Sequence, residues 1–438
     1  MIRVKTESPV YGGFMIARGD AAGDGGAVVF VKGALPGETV HAEVSEKKKD
    51  YSIATVSEVL EPSDLRVEPF CPYFGPSLSN CGGCHLQHAA YDGQVSMKNS
   101  IIIDSFRRIG GIEVEPAAPI TGPNTGYRHR AQFKVSAEGA VGFFSEGTRD
   151  VVPVRECPLL VHEINEALGK IILMPLEGVK EVHVTLGYEG EPEEGGLTGP
   201  PEPGLLDAAG RPAPGLAALI KGREFDEVLA GQFADCGFET VFFEDGSHRG
   251  KGFVNFGLRG FKYSVSPLSF FQSNWRLNLK AVDAVKELLG TGFSGSLLDI
   301  YAGGGNFSIP MSPSAKRITC VEDSVFSIKD GVRNIELNGI KNMKFLRSSF
   351  ERFSFSGKGQ KSFDAVIVDP PRPGLSREAA KKLLELLPEK LLYISCNPAT
   401  LARDVKKLSE KYKVESVRLA DFFPHTYHIE VLCLLGMV

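Results

Sequence analysis

The sequence contains little cysteine, a single tryptophan and no large excess of either charge. Its 438 residues include eight cysteines, far too few for a disulfide scaffold of this size. Lysine and arginine total 49 against 54 aspartates and glutamates, so the net charge is −5. This balance excludes a globally basic nucleic-acid-binding protein, although a local basic face remains compatible with it.

Long apolar runs and targeting signals are also missing. No run of about eighteen apolar residues is present, which predicts no transmembrane helix. The first residues, MIRVKTESPVYGG, do not form the charged, apolar and small-residue pattern of a secretory signal. We therefore expect a cytoplasmic protein without a membrane attachment. In a reducing compartment, closely spaced cysteines indicate metal binding or catalysis more often than disulfides.

Residues 1–62 predict a small closed β-barrel. Short β-rich runs such as AVVFVKGA and YSIATVSEVLE are separated by the turns DAAGDGG and LPGE. Short strands at this density are typical of oligonucleotide-binding barrels. Lys47, Lys48 and Lys49 fall in an expected hairpin turn, where a solvated turn is favoured over a phosphate contact.

Residues 63–262 predict a β-rich central domain that begins with a cysteine-bearing loop. An amphipathic helix follows, roughly Tyr91 to Ile109, and is a candidate for packing on the C-terminal domain. Residues 187–216 are rich in glycine and proline, with an acidic first half that cannot fold alone. We interpret this stretch as a surface loop or insertion, away from any nucleic-acid face. Its acidic residues are Glu189, Glu191, Glu193, Glu194 and Glu202.

Residues 263–438 alternate between strand-like and helix-like segments. This alternation predicts an open, mostly parallel α/β sheet. In such sheets ligands bind beyond the carboxyl ends of the strands.

The segment SLLDIYAGGGNFSIP, residues 296–310, predicts a strand followed by a glycine-rich turn. Glu322 ends the next strand, where an acid usually accepts a hydrogen bond from a ribose hydroxyl. The turn lacks the G-x-G-x-x-G pattern that cradles a pyrophosphate, which favours S-adenosylmethionine over NAD. A plain tight turn is the alternative interpretation.

Three further segments place reactive side chains at expected strand ends. Asp369 precedes two prolines in FDAVIVDPPRPGL, a motif similar to the D-P-P-Y of amino-group methyltransferases except for Arg372; an ordinary turn is the alternative. Cys396 lies between a strand and a helix N-terminus, where the pKa of a thiol can be lowered. Glu430 lies in the apolar last strand, a costly position unless the carboxylate is paired or used. His425 is interpreted, like its neighbour His428, as a polar group rather than a base.

Four cysteines form a C-x9-C-x2-C run with a distant partner: Cys71, Cys81, Cys84 and Cys157. Four thiolates suit zinc or an iron–sulfur cluster. His85 and His88 do not complete a zinc finger, and the spacing is not the C-x3-C-x2-C of radical enzymes. The remaining Cys236, Cys320 and Cys433 have expected packing roles only.

Together these segments resemble the RNA 5-methyluridine methyltransferase family, in particular its ribosomal-RNA branch. ALPGE and the KKK–Y stretch resemble a TRAM barrel, and FFQSN, LLDIYAGGGNFSIP, VDPPRPG, SCNPATLARD and FPHTYHIE resemble the catalytic motifs. The resemblance implies an α/β fold: a class I, Rossmann-like methyltransferase domain, preceded by a TRAM/OB-like barrel and a central domain with an iron–sulfur cluster.

The resemblance also implies roles for individual residues. Cys396 would be the nucleophile and Glu430 the general base. A 4Fe-4S cluster would be held by Cys71, Cys81, Cys84 and Cys157. S-adenosylmethionine would be bound by Gln272, Asp299, Tyr301, Gly303, Asn306, Glu322 and Asp369. The chain departs from the family in its longer first cysteine gap and in Ser348-Ser349, which stand where many relatives carry an acid.

The implied activity is methylation of carbon 5 of a flipped-out uridine in RNA, with 23S ribosomal RNA as the expected substrate. The expected enzyme is a monomer that binds the RNA partly through the barrel. A transfer-RNA uridine methyltransferase of the same chemistry is one alternative. A non-catalytic RNA-binding iron–sulfur protein is another, which intact Cys396, Glu430 and Asp369 disfavour. A methyltransferase acting on DNA or an amino group is disfavoured by Arg372 and the nucleophilic cysteine.

Overall fold

The computed structural model describes residues 1–18, 28–75, 79–188, 190, 215–354 and 363–438. The glutamates of the expected acidic loop, Glu189 to Glu202, lie outside the described residues, and so does the DAAGDGG turn. Within the described ranges, no helix combines the length and apolar character needed to cross a membrane.

The N-terminal strands close into a barrel. They are β1 (Ile2–Val10), β2 (Phe14–Arg18), β3 (Val28–Lys32), β4 (Thr39–Lys47) and β5 (Tyr51–Glu61). The order is β1-β2-β3-β5-β4, and β4 pairs back onto β1. Alternate side chains such as Val29 and Val31 fill the interior, as the period-two pattern of a strand requires. The expected barrel is confirmed, and Lys48 lies in the hairpin between β4 and β5, paired with Glu46.

A seven-stranded sheet forms the middle of the described chain. Its strands are β7 (Arg130–Val135), β8 (Val141–Phe144), β9 (Val151–Pro153), β10 (Glu181–Gly187), β11 (Gly215–Lys221), β12 (Phe238–Phe243) and β13 (His248–Gly250). The order is β13-β12-β11-β10-β7-β8-β9. Two amphipathic helices, α2 (His162–Ile171) and α3 (Glu227–Asp235), bury their apolar faces against it. The cysteine loop runs from the end of the barrel to the next helix. It contacts this sheet where the backbone of Cys81 forms an antiparallel β-bridge with Ser145, the residue after β8.

The C-terminal part is built on an eight-stranded sheet. Its strands are β6 (Ala117–Ile120), β16 (Ser296–Ile300), β17 (Arg317–Glu322), β18 (Met343–Arg347), β19 (Ala365–Val368), β20 (Lys390–Ser395), β21 (Tyr412–Ala420) and β22 (Glu430–Met437), in the order β18-β17-β16-β19-β20-β22-β21-β6. Strand β22 is antiparallel to both its neighbours, whereas the strands from β16 to β20 are parallel. The expected Rossmann-like sheet is confirmed.

Helices cover both faces of this sheet, because its central strands are apolar on both sides. One face is covered by α4 (Trp275–Leu289) and α5 (Val325–Leu337), and the other by α6 (Arg377–Leu386), α7 (Pro398–Leu408) and α1 (Tyr91–Ser105). A short 3-10 turn (Ile309–Met311) follows the glycine-rich segment. Helix α1 continues as a π-helical turn, Phe106–Gly110, and ends at Gly111 with φ of 69°. It therefore packs on the C-terminal core, through Ile101, Ile102 and Phe106.

The boundary expected near residue 262 falls inside a two-stranded sheet. This sheet pairs β14 (Val254–Leu258) with β15 (Phe261–Val265). Its side chains Phe256 and Tyr263 belong to the same apolar cluster as helix α4. The hairpin is thus packed with the C-terminal core rather than with the central sheet alone.

Candidate active site

The residues singled out in the C-terminal sequence meet at one edge of the sheet. Tyr301 follows β16, Asp369 follows β19 and Cys396 follows β20, while Glu322 ends β17. The carboxyl ends of parallel strands share an edge, which brings these residues together despite their separation in sequence.

Glu430 reaches the same edge from the opposite direction. It is the first residue of β22, which runs antiparallel to β20 with Ser395 opposite Val431. The next position along this ladder places Cys396 beside Glu430. The charges of Glu430 and Asp369 both raise the pKa of the Cys396 thiol, in line with the placement of the three residues at this edge.

The expectation of a lowered thiol pKa at Cys396 is wrong for the free protein. Burial of the half-buried thiol, together with the nearby carboxylates of Glu430 and Asp369, raises its pKa to about 11. The first amides of the helix that follows are bound by the side chain of Asn397 and not by the thiol. The Oδ1 atom of Asn397 accepts hydrogen bonds from the amides of Ala399 (3.0 Å) and Thr400 (3.4 Å).

The carboxyl groups at this edge also favour their neutral forms. Burial raises the pKa of Asp369 to about 7. The pKa of Glu430 is raised well above its usual value by burial and by Asp369, with Arg372 opposing the shift. Burial, with Asp369 and Glu322 as further causes, raises the pKa of Asp299 to about 7. Such perturbed carboxyls cluster where protons are transferred.

The glycine-rich turn is held against the second strand. The amide of Gly303, with φ of 54°, donates to Oε2 of Glu322 (2.9 Å), and Oε1 accepts from the amides of Asp323 (2.9 Å) and Ser324 (2.8 Å). Glu322 therefore fixes the turn while lying at the ligand edge. Tyr301 also has a positive φ, 61°, an uncommon conformation for a tyrosine that marks a strained strand end.

Asn306 is engaged with the helix next to the turn. Its side chain exchanges two hydrogen bonds with Asn278 on α4, at 2.7 and 2.9 Å. The loop that carries Gln272 is held from the central sheet, since the guanidinium of Arg130 donates to the carbonyls of Ser269 (3.0 Å), Phe271 (3.3 Å) and Pro267 (3.3 Å). Gln272 is half-buried at the end of this loop.

The four predicted metal-ligating cysteines converge. All of them line one cavity, together with Arg128. Burial raises the pKa of Cys81 to about 11 and of Cys84 to about 12, and neighbouring thiolates contribute to both shifts. Among the described residues, no three histidine, cysteine or acidic side chains are grouped tightly enough to hold a single metal ion. These four cysteines, which line one cavity, are called the cysteine ring below.

The segment 421–429, which leads into Glu430, is fixed by helix α1. The ammonium group of buried Lys98 donates to buried Asp421 (2.6 Å) and to the carbonyl of Phe423 (3.0 Å). The backbone amide of His425 donates to Oε1 of Gln94 (2.8 Å), and Nε2 of Gln94 lies 3.0 Å from Nδ1 of His425. Burial lowers the pKa of His425 to about 4 and of His428 to about 3, so both are neutral near pH 7.

Several residues of the site lay outside the sequence prediction. Tyr11, in the turn between β1 and β2, donates a hydrogen bond to the carbonyl of Cys396 (3.1 Å). Arg130 and Lys98 hold the loops that carry Gln272 and Glu430. The YGG sequence that begins at Tyr11 does indicate a turn, but no pattern in the sequence indicates where that turn docks.

The chain is similar to known RNA methyltransferases over nearly its whole length. Residues 251–437 match the family tRNA (Uracil-5-)-methyltransferase, and residues 1–57 match the TRAM domain. An uncharacterized RNA methyltransferase of Aquifex aeolicus is 36% identical, with 99% of this chain and 98% of that protein covered. The 23S rRNA (uracil(1939)-C(5))-methyltransferase RlmD of Vibrio parahaemolyticus is 31% identical, with 93% and 90% covered.

A solved structure shares the fold. The Pyrococcus abyssi tRNA (uracil-54, C5)-methyltransferase, solved in complex with S-adenosyl-L-homocysteine, superposes with a TM-score of 0.71. It is 24% identical in sequence, and the superposition covers 99% of this chain and 100% of that one.

Proposed function

The chain belongs to the RNA uracil-C5 methyltransferase family, and from this premise we propose that it methylates a uridine of 23S ribosomal RNA through a covalent cysteine adduct. The observation that carries the proposal is the placement of Cys396 beside Glu430 and Asp369 at the ligand edge of the sheet. A thiol and a carboxyl group side by side can divide the work of a nucleophile and a base.

Carbon 5 of uracil is too weak a nucleophile to take a methyl group unaided. Addition of the Cys396 thiolate to carbon 6 gives carbon 5 the electron density of an enolate. S-adenosylmethionine, when bound, supplies the methyl group as a sulfonium electrophile. After methylation, Glu430 removes the proton from carbon 5, and the Cys396–carbon 6 bond breaks to release the methylated uridine and the thiolate.

The free protein does not hold Cys396 as the thiolate that these steps require. The pKa of Cys396, raised to about 11, keeps the thiol largely protonated near neutral pH, and the pKa of Glu430 is also raised, by burial and by Asp369. Arg372 already opposes both shifts, and a sulfonium cation beside the pair would oppose them further. We infer that the thiolate forms mainly in the loaded enzyme, which limits side reactions of the free thiol.

For the methyl donor, we propose the pocket along β16 and β17. Glu322, at the end of β17, is placed to accept a ribose hydroxyl, and the turn at Gly303 lets the ligand approach the backbone closely. Gln272, Asp299, Tyr301, Asn306 and Asp369 complete the proposed set. Support comes from the shared fold of a methyltransferase solved with S-adenosyl-L-homocysteine.

The cysteine ring is the proposed site of an iron–sulfur cluster. A 4Fe-4S cluster takes four thiolate ligands, and Cys71, Cys81, Cys84 and Cys157 all line one cavity. The positive charge of Arg128 beside the cavity suits the negative charge that four thiolates bring. We propose that these residues hold such a cluster in a structural role.

Ribosomal RNA is favoured over transfer RNA as the substrate. The support is the RlmD relative, which covers the chain nearly end to end and acts on 23S rRNA by its name. The solved tRNA methyltransferase is the more distant likeness and supports the fold alone. Mass spectrometry of nucleosides from the ribosomal and transfer RNA of a deletion strain tests this choice, because 5-methyluridine should be lost from the RNA that is the substrate.

Two substitutions test the mechanism. Cys396→Ala is expected to abolish methyl transfer while leaving S-adenosylmethionine binding intact, because Cys396 is not among the residues proposed to bind the donor. Glu430→Gln is expected to trap a covalent protein–RNA adduct, visible as a band retarded in a denaturing gel. Full turnover by Cys396→Ala would rule out the proposed covalent mechanism. Cys236→Ala is the matched control, since this thiol lies outside the site, and it should methylate at the wild-type rate.

A further inference from the structure

The turn between β1 and β2 carries the barrel into the active site. Gly12 and Gly13 have φ of 105° and 83°, and the turn fits tightly between two other segments. A Cβ atom on Gly13 would lie 3.4 Å from Cβ of His85, in the cysteine loop, and 3.6 Å from Cβ of Tyr427. The barrel, the cysteine loop and the segment before Glu430 therefore meet at this turn.

Tyr11 makes the contact with the nucleophile. Its hydroxyl donates to the backbone carbonyl of Cys396 at 3.1 Å, across most of the chain. Its ring meets Tyr427 edge to face, with 5.7 Å between centroids, and packs against the C-terminal core. Burial raises the pKa of Tyr11 to about 12, so the hydroxyl remains a donor near neutral pH.

The peptide that Tyr11 contacts is held from its other side by Ser395, whose Oγ accepts from the amide of Asn397 (3.2 Å). Ser395, before the nucleophile, is the last residue of β20 in the ladder with β22, and Asn397, after it, is the cap of α7. Cys396 thus lies in the one-residue gap between strand and helix. A hydrogen bond to its carbonyl limits rotation of the peptide and hence the direction of the thiol.

We propose that Tyr11 is a positioning residue that holds the backbone of Cys396 so that its thiol stays directed at carbon 6 of the uridine. The inference rests on the proposed role of Cys396 as the nucleophile. It gives the barrel a part in the chemical step besides any part in gripping RNA. A small displacement of a reacting atom can slow a reaction by orders of magnitude, so one hydrogen bond here can matter to the rate.

The test compares Tyr11→Phe with Tyr412→Phe. Both tyrosines donate from the hydroxyl to a backbone carbonyl: Tyr11 to Cys396 in a part-buried bond, and Tyr412 to Pro388 in a buried one at 3.0 Å. Tyr412 pairs with Met437, at the end of β22 opposite to Glu430, so its loss leaves the site untouched. Phenylalanine keeps the ring contacts of each. The measurements are the single-turnover methylation rate at saturating 23S rRNA fragment and S-adenosylmethionine, both dissociation constants, and the melting temperature.

We expect Tyr11→Phe to lower the single-turnover rate about tenfold, on the scale of a misdirected reacting group, with dissociation constants unchanged. Tyr412→Phe should lose comparable thermal stability and keep the wild-type rate. Equal rates in the two variants would overturn the inference. So would a loss in Tyr11→Phe that appears wholly in RNA affinity.

Alkylation of Cys396 by iodoacetamide, followed by peptide mass spectrometry, separates this inference from the proposed function. Faster alkylation in Tyr11→Phe than in Tyr412→Phe is expected if the peptide is released, whether or not the enzyme turns over. Identical alkylation would count against Tyr11 as a positioning residue. If the wild-type enzyme were inactive but the alkylation difference were still observed, the proposed function would be ruled out while the role of Tyr11 in holding the Cys396 peptide would stand.

Discussion

Individual side chains at the site are governed by desolvation more than by local sequence position. Cys396 precedes a helix, yet Asn397 occupies the helix amides and the thiol faces two carboxyl groups. Removal from water favours the neutral form of every acid, so the pKa values of the thiol and of the carboxyls rise together. The free enzyme therefore holds its nucleophile mainly as the thiol, and the pKa of its base is raised as well.

A pH profile of thiol reactivity tests this state. The shift from an ordinary pKa of 9.0 to about 11 leaves Cys396 with roughly a hundredfold less thiolate near neutral pH, since each unit is tenfold. The rate of iodoacetamide labelling at Cys396 should thus climb about tenfold per pH unit from pH 7 to beyond pH 10. The urea-unfolded protein is the control and should level off earlier. A plateau of the folded protein below pH 9 would contradict the prediction.

At the scale of elements, helix α1 belongs to the catalytic core although it precedes the central sheet. It holds segment 421–429 through the buried pair of Lys98 and Asp421 and through Gln94 and His425. The hydroxyl of Tyr91 adds a further hydrogen bond, to Asp421 at 2.9 Å. His425 has φ of 65°, an uncommon conformation for histidine, and Gln94 stabilises it there. The position of Glu430 thus depends on a helix from elsewhere in the chain.

Lys98→Met should be strongly destabilising. It leaves the carboxylate of Asp421 buried without its cation, which costs about 3–5 kcal/mol of the free energy of unfolding. Lys98→Met with Asp421→Asn should recover part of the loss, because no uncompensated charge remains. Lys381→Met is the control, since its partner Glu385 is mainly exposed and the pair contributes under about 1 kcal/mol. Urea unfolding measures all three, and equal losses for the two lysines would refute the assignment.

At the scale of the whole molecule, the cysteine loop connects the barrel to the catalytic segment. The amides of His85 (2.8 Å) and Leu86 (3.0 Å) both donate to the carbonyl of His425, and the ring of Phe70 packs on the imidazole of His425 at 4.9 Å. On the other side, Glu146, just after β8, pairs with Lys32 of the barrel at 2.5 Å and lies 4.0 Å from Nε2 of His85 in the cysteine loop. A group bound within the cysteine ring would therefore stabilise the region that positions Glu430.

Anaerobic purification tests the proposed cluster. The wild-type protein should contain iron and sulfide and absorb broadly in the visible range, and Cys84→Ser should lose both signals and melt at a lower temperature, because a lost ligand loosens the loop. Cys236→Ser is the matched control and should keep the absorption. Wild-type protein purified without iron, sulfide or visible absorption would rule the cluster out.

The sequence by itself determined the order of the motifs, the barrel, the Rossmann-like sheet and the reactive residues at the strand ends. It could do so because strand and helix periodicity is local and because parallel strands end at a common edge. Tertiary structure alone decided that an antiparallel β22 lies next to β20 and brings Glu430 to Cys396. It also decided that Tyr11 reaches the nucleophile's carbonyl and that the thiol pKa rises rather than falls. Docking and desolvation depend on what surrounds a group in space, which no local pattern records.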